Sequence, residues 1–263
     1  MQSIHTIIAT QSLPSAVVFV EVLKDGRPDI GTAFHLGGGF FATARHVVDG
    51  NKITKIGRSD LSQKTIIGPN GKPTRTTSFG AFEHRDIARY FFHEDNRVDV
   101  AIIQLAGTIQ MGMGYPVQQL QPAVQLSKFA DILSEGELLM SEVLVLGFPQ
   151  IPLATEAHVV AFKGEVSATF ANREDKKRHF VVSGMARGGF SGGPVFMLGG
   201  PIIQNASGQP AQLAGTVIGI IGHALLGNSN SSASAVPELG FMSAVSVETL
   251  RETVAYNKLD LKI

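Results

Sequence analysis

Gly189-Phe190-Ser191-Gly192-Gly193-Pro194 follows Met185-Ala186-Arg187-Gly188 and runs straight into the apolar stretch Val195-Phe196-Met197-Leu198. A glycine-rich turn thus hands over to a strand-forming run, with one hydroxyl, Ser191, set among flexible residues. Glycine lets backbone approach a substrate closely and adopt positive φ, so amides around Ser191 can converge on a developing negative charge. Taken alone, the segment reads equally well as a turn with an incidental serine.

The same alternation of short apolar run and turn recurs along the chain. Ala16–Val22, Gly31–Leu36, Phe40–Thr43, Ile53–Ile56, Ala88–Phe92 and Val100–Leu105 read as the strands of a first half. Val143–Leu146, Val159–Thr169, Phe180–Val182, Val195–Leu198, Gln212–Gly222 and Phe241–Val245 form a second set. Long amphipathic crossover helices are missing, which predicts an all-β architecture of barrels or a sandwich over a parallel α/β sheet. Residues 112–123, with Gly112, Gly114, Pro116 and Pro122, read as a connecting segment between residues 1–111 and 124–245. Only the tail within 246–263 reads as helical: Val247, Leu250 and Val254 share a face over Ser246–Asn257, with Ser246 as the expected cap. Asn228–Ser234 reads as a polar loop.

Composition excludes several classes of function. The 263 residues allow a large core, and 44% hydrophobic residues with 29 glycines and 12 prolines describe a folded, turn-rich chain. Lys+Arg 22 balance Asp+Glu 22, so no global charge points to nucleic acid or an acidic membrane. Lys176-Lys177-Arg178 reads as a solvated turn. With no cysteine there are no disulfides, thiolate metal sites or cysteine nucleophiles, and a reducing compartment suits the chain. No basic residue precedes Lys24 and the apolar run Leu213–Leu226 is short and broken by glycine, so the expectation is a soluble, cytoplasmic protein without signal peptide or membrane span.

A serine hydroxyl is a weak nucleophile at neutral pH and needs an imidazole base with a group to orient it. Of eight histidines, His46 has the distinctive setting, at the end of the apolar run Phe40-Phe41-Ala42-Thr43-Ala44-Arg45-His46. Asp99 directly precedes the buried-type run Val100-Ala101-Ile102-Ile103, a place where a carboxylate is costly unless partnered. Asp86, before Ile87-Ala88-Arg89, reads instead as a surface or turn residue because Arg89 breaks the run.

His46, Asp99 and Ser191, 53 and then 92 residues apart, stand in motifs that resemble those of the trypsin/chymotrypsin superfamily of serine proteases. Gly147-Phe148-Pro149, Gly219-Ile220-Ile221-Gly222-His223 and Gly240-Phe241-Met242-Ser243 extend the likeness over residues 14–257. The resemblance implies two six-stranded antiparallel β-barrels of chymotrypsin type and a short C-terminal helix. It implies a Ser191-His46-Asp99 triad, an oxyanion hole from the amides of Gly189 and Ser191, and substrate alignment by Ile221, Gly222 and His223. Met185 and Ala186 would floor the specificity pocket; neither is charged, so a small to medium apolar P1 residue is expected rather than Lys or Arg. No cofactor or metal is required.

Two departures are informative. Phe190 stands where secreted relatives carry an acid that pairs with a new N-terminus, so activation by N-terminal cleavage is not expected, and the cysteine-free chain looks more like bacterial Deg-type or related intracellular peptidases. Gly222 stands where the family commonly has a serine supporting the aspartate. The expected partner is a peptide or protein substrate, with regulation through a partner or fused domain. Two alternatives remain at this point: a protease-fold binding module, and an α/β-hydrolase esterase, whose Ser-acid-His order disagrees with this chain.

Overall fold

A computed structural model of the chain describes residues 13–58, 63–67, 73–77, 82–109, 115–116, 123–127, 133–184, 187–199, 214–226, 238–261 and 263. After a 3-10 turn, Leu13–Ala16, strand β1 (Val17–Lys24) doubles back through Asp25-Gly26 into β2 (Arg27–Gly37). Both turn residues have positive φ, 51° and 75°, the geometry of a tight primed hairpin turn. β3 (Phe40–Thr43), the helical turn α1 (Arg45–Val48) and β4 (Lys52–Arg58) follow. Among the described residues, β5 (Gln63–Ile67) and β6 (Pro73–Thr77) pair only with each other. β7 (Phe82–His84), β8 (Ile87–Phe92) and β9 (Ala101–Leu105) complete an antiparallel sheet in the order β7-β4-β1-β2-β3-β9-β8.

β10 (Thr108–Ile109) pairs with β11 (Tyr115–Pro116), and the short helix α2 (Glu135–Leu138) leads into the second half. There β12 (Glu142–Gly147), β13 (Val160–Ala171), β14 (Arg178–Ser183), β15 (Pro194–Gly199), β16 (Val217–Leu226) and β17 (Glu238–Ser246) close into a six-stranded barrel. Helix α3 (Glu248–Tyr256) follows the barrel. The chain is thus all-β with the two-barrel architecture of chymotrypsin type. Its first barrel differs from the expected six strands: β7 adds a seventh, and β7 and β8 end the sheet without pairing to each other, leaving a half-barrel. The segment 112–123 lies outside the described residues except for Tyr115, Pro116 and Ala123.

Near-continuous apolar runs such as Val17-Val18-Phe19-Val20 have a plain cause: the first sheet is covered on both faces. Val18, Val20, Val22, Ala33, Phe41, Ala101 and Ile103 fill the half-barrel. Their alternates Val17, Phe19, Phe34, Ala42 and Ile102 join the core of the closed barrel, where Phe19 meets Phe148 edge-on at 5.7 Å. The helical tail packs as the periodicity predicts, with Val247, Leu250 and Val254 buried. Its capping does not: the helix starts after Val247, no side chain caps it, and the buried Ser246 hydroxyl has no hydrogen-bond partner among the described residues. The basic cluster is likewise more than a solvated turn, since Lys177 Nζ pairs with Glu252 at 2.8 Å and Arg178 donates to the Leu133 carbonyl at 2.6 Å. No helix among the described residues is long and apolar enough to cross a membrane.

Phe34 is fully buried on the face that joins the two halves. Phe34→Ala is expected to lower the unfolding free energy by about 3–5 kcal/mol, measured by chemical denaturation, because the neighbouring strands cannot collapse into the vacated volume.

Candidate active site

The three residues singled out in the sequence converge between the two halves, each on a different kind of support. His46 lies in α1, a single turn held down by buried Val47 and Val48. The Asn51 side-chain amide donates to the carbonyls of His46 and Val47, each at 3.1 Å, and Arg45 pairs with Asp49 at 2.7 Å. Asp99 sits between fully buried Val98 and Val100, just before β9. Its carboxylate accepts twice from one residue: Oδ1 takes the His46 backbone N–H at 2.9 Å and Oδ2 faces His46 Nδ1 at 2.8 Å. The charge therefore caps the start of α1 and orients the ring at the same time.

Burial pushes the Asp99 carboxyl up, but the hydrogen bonds and charge of His46, with a smaller contribution from His223, outweigh it and hold the group below the ordinary carboxylate value. His223, expected to align substrate, also contacts the His46–Asp99 pair. Its ring stacks on His46 with centroids 4.4 Å apart and planes at 29°, and its Nε2 lies 3.4 Å from Asp99 Oδ2. Loss of solvent pushes the His223 imidazole down, repulsion from His46 adds to this, and Asp99 opposes it. Two imidazoles and a carboxylate are common zinc donors. Here, however, His46 Nδ1 and Asp99 Oδ2 already engage each other at 2.8 Å.

Ser191 occupies the turn before β15. Thr32 N–H donates to the Ser191 carbonyl at 2.8 Å, and Gly192 N–H donates to the Ile221 carbonyl at 2.7 Å. Gly192 has φ 84°, and a Cβ built on it would lie 2.1 Å from the Thr32 carbonyl oxygen and 2.3 Å from Thr43 Oγ1. Only glycine fits there. Gly189 also has positive φ, 98°. Phe190, Gly192 and Gly193 donate their N–H groups within the fold. The N–H groups of Gly189 and Ser191 make no hydrogen bond among the described residues. Phe190 is fully buried and meets Phe162 edge-on at 5.3 Å, so an apolar anchor fastens this turn to the closed barrel.

The Ser191 hydroxyl donates to the Gly222 carbonyl at 3.0 Å, and no hydrogen bond joins it to His46 among the described residues. A Cβ on Gly222 would stand 3.3 Å from Asp99 Oδ2, which places this glycine against the carboxylate without a side-chain hydroxyl to donate. Ile221 is displaced from its expected substrate-aligning part: it is buried, and its N–H and carbonyl are already taken by Gly193 and Gly192. His223 remains at the cleft, while Gly222 is buried with its carbonyl taken by the Ser191 hydroxyl. Met185 and Ala186 lie outside the described residues. Asp86 is exposed and away from this cluster, as its sequence context suggested.

One participant in this geometry escaped the sequence reading. Thr32 is fully buried, and its hydroxyl donates to the Gly189 carbonyl at 2.6 Å and accepts the Phe148 N–H at 2.9 Å. The available signal was a lone hydroxyl inside the apolar run Ile30-Gly31-Thr32-Ala33-Phe34. Two clefts flank the site. One of about 430 Å³ exposes His46, Asp99 and His223. The other, about 940 Å³, is lined by Phe19, Ile30, Phe82 and Ile151 among others, and starts next to Gly31, whose position abuts the Ser191 carbonyl.

A profile of the trypsin-like peptidase domain matches residues 31–209. No curated protein matches by sequence. Among solved structures, the HtrA-type protease AlgW with tripeptide superposes with TM-score 0.57 at 17% identity, over 98% of this chain and 64% of that one. This chain therefore spans less than two thirds of AlgW. The active form of the Rv3671c protease from M. tuberculosis gives TM-score 0.55 at 15% identity, covering 98% and 85%. The scabies mite inactivated protease paralogue S-I1 gives 0.55 at 14%, covering 94% and 93%.

Two outcomes test the site's construction. Gly192→Ala should cost at least about 1–2 kcal/mol from backbone conformation alone, with overlap adding to it; an unchanged denaturation midpoint would contradict the docking of this turn on β2. Because Asp99 is held below its ordinary value, its stabilisation is present above about pH 4 and is lost as pH falls through the lower folded-state value. Asp99→Asn removes that contribution, so urea-unfolding free energies measured at several acidic pH values should fall less steeply for the variant than for the parent.

Proposed function

We propose that this chain, which belongs to the trypsin-like peptidase domain family of serine proteases, is an endopeptidase in which Ser191, His46 and Asp99 form the catalytic triad. Ser191 Oγ attacks the substrate carbonyl, His46 takes the proton and returns it to the leaving amine, and Asp99 keeps the imidazole oriented and stabilises its charged form. An acyl-enzyme forms, and water then releases it by the same proton route. The observation that carries this reading is the double grip of Asp99 on His46, through Nδ1 and the backbone N–H, which leaves Nε2 to face the cleft.

Further support comes from the turn itself. The N–H groups of Gly189 and Ser191, unbonded among the described residues, suit an oxyanion hole, a contribution of about 2.7–4 kcal/mol per donor in such sites. The resting hydroxyl bonds Gly222 rather than His46, and side-chain rotation takes only picoseconds to nanoseconds. A substrate strand that offers its N–H to the Gly222 carbonyl would release the hydroxyl toward His46. Substrate is then aligned by Gly222 and His223 as an added strand.

Met185 and Ala186 bring no charge to the specificity pocket, so cleavage follows small or medium apolar P1 residues. Phe190 replaces the acid used in N-terminal zymogen activation and already anchors the turn by burial, which supports a site independent of such cleavage. Regulation by a partner or further domain, and action in a reducing, cytoplasmic setting, complete the proposal. The second reading, a protease fold kept for peptide binding, draws on the serine hydroxyl's bond to Gly222 and on the inactivated mite paralogue of the same fold.

A fluorophosphonate probe is expected to label the protein, and Ser191→Ala to abolish both labelling and hydrolysis; a folded parent that is never labelled would favour the binding reading. Digestion of a peptide library, read by mass spectrometry, should place most cuts after small or medium apolar residues. Predominant cleavage after Lys or Arg would refute the assignment of the pocket.

A further inference from the structure

Thr32 is the one residue, among those described, that holds both halves of the proposed oxyanion hole from the opposite domain. It belongs to β2 of the half-barrel, yet its hydroxyl donates to the carbonyl of Gly189 at 2.6 Å and its backbone N–H donates to the carbonyl of Ser191 at 2.8 Å. Those two residues carry the N–H groups that remain unbonded among the described residues. The Gly189 carbonyl lies in the peptide plane it shares with the Phe190 N–H, and the Ser191 carbonyl in the plane it shares with the Gly192 N–H, so Thr32 fixes the peptide plane on the C-terminal side of each proposed donor and leaves that donor amide only the rotation about its own residue's φ and ψ.

The hydroxyl's remaining capacity is also used, since it accepts the Phe148 N–H at 2.9 Å. Phe148 follows β12 and packs on Phe19 of β1, so the same oxygen locks the turn to a rigid aromatic contact between the halves. Thr32 is itself held, because Thr43 Oγ1 donates to its carbonyl at 2.7 Å. Both Thr32 and Thr43 are fully buried, so water cannot replace these bonds.

We infer that the Thr32 hydroxyl is a positioning group for oxyanion stabilisation, acting through Gly189 and not touching substrate. This rests on the reading of Gly189 and Ser191 as the oxyanion donors. A hydroxyl can donate and accept at once, whereas the isosteric valine side chain of a Thr32→Val variant can do neither. Removing a donor outright costs about 10²–10³ in kcat, so loosening one is expected to cost about 10- to 100-fold.

The test compares the parent, Thr32→Val, Thr32→Ser and Ser191→Ala. Fluorophosphonate labelling rates, and kcat and KM on a peptide drawn from the library, are read at a temperature where thermal melts show every variant folded. Thr32→Val should lower kcat and the labelling rate while KM and the pH midpoint of kcat/KM stay near the parent values. Thr32→Ser, which keeps the hydroxyl, should recover most of the loss. A labelled parent whose Thr32→Val variant reacts at the same rate overturns the inference alone, as do equal losses in the valine and serine variants, since the retained hydroxyl would then restore nothing. A parent that is never labelled overturns the nucleophile reading and this inference with it.

Discussion

Everything at this site depends on how closely the Ser191 turn can press against the first sheet. The contact is backbone on backbone: the Thr32 N–H reaches the Ser191 carbonyl, and Gly192 leaves no room for even a methyl group above the Thr32 carbonyl. Packed side chains tolerate small shifts, but a hydrogen-bonded backbone approach sets one distance. The nucleophile proposed for the reaction belongs to one half of the chain and the imidazole to the other, so this approach joins surfaces of the two halves at the proposed reaction centre. Burial of Phe190 on the far side of the turn presses it from the barrel, and the turn is held between the two.

The electrostatics of the cleft follow from which groups touch Asp99. Gly222 brings its backbone against the carboxylate without a side-chain donor, and the ring of His223 comes to 3.4 Å. One carboxylate therefore faces two imidazoles of which only His46 has hydrogen-bond geometry. Loss of solvent pushes the His223 imidazole down, and its hold on Asp99 is weaker than that of His46, which reaches the carboxylate through both its ring and its backbone N–H.

Legibility in the sequence divided along a physical line. Patterns repeated locally were readable: strand runs, the apolar face of α3, and three motifs in order that brought His46, Asp99 and Ser191 forward. Features that arise only from a long-range partner were not. Thr32 looks like any threonine in a strand until Gly189 and Phe148 arrive from the other half. Ile221 reads as part of a substrate-facing strand, but its backbone groups are consumed by Gly192 and Gly193, which sit far away in the chain. Ser246 has the right identity for a cap and the wrong place, because burial of Val247 pulls the helix start past it. Asp25-Gly26 was a local signal of a hairpin, and the early start of β2 at Arg27 follows from it. β7 is too short to show a period, which is why the seventh strand was invisible.

Helix α3 connects these matters to synthesis. It follows the closed barrel in the chain, yet just past its end the Asn257 side chain donates to the Phe92 carbonyl at 2.9 Å, and Glu252 within it faces His93 at 2.9 Å. Both contacts brace the segment that carries Asp99. On the ribosome the first sheet emerges early and can fold as it appears, but the brace behind its carboxylate is made only after the serine, the barrel and the helix have all left the exit tunnel. The geometry proposed for the reaction is thus completed only after both halves and α3 have been made.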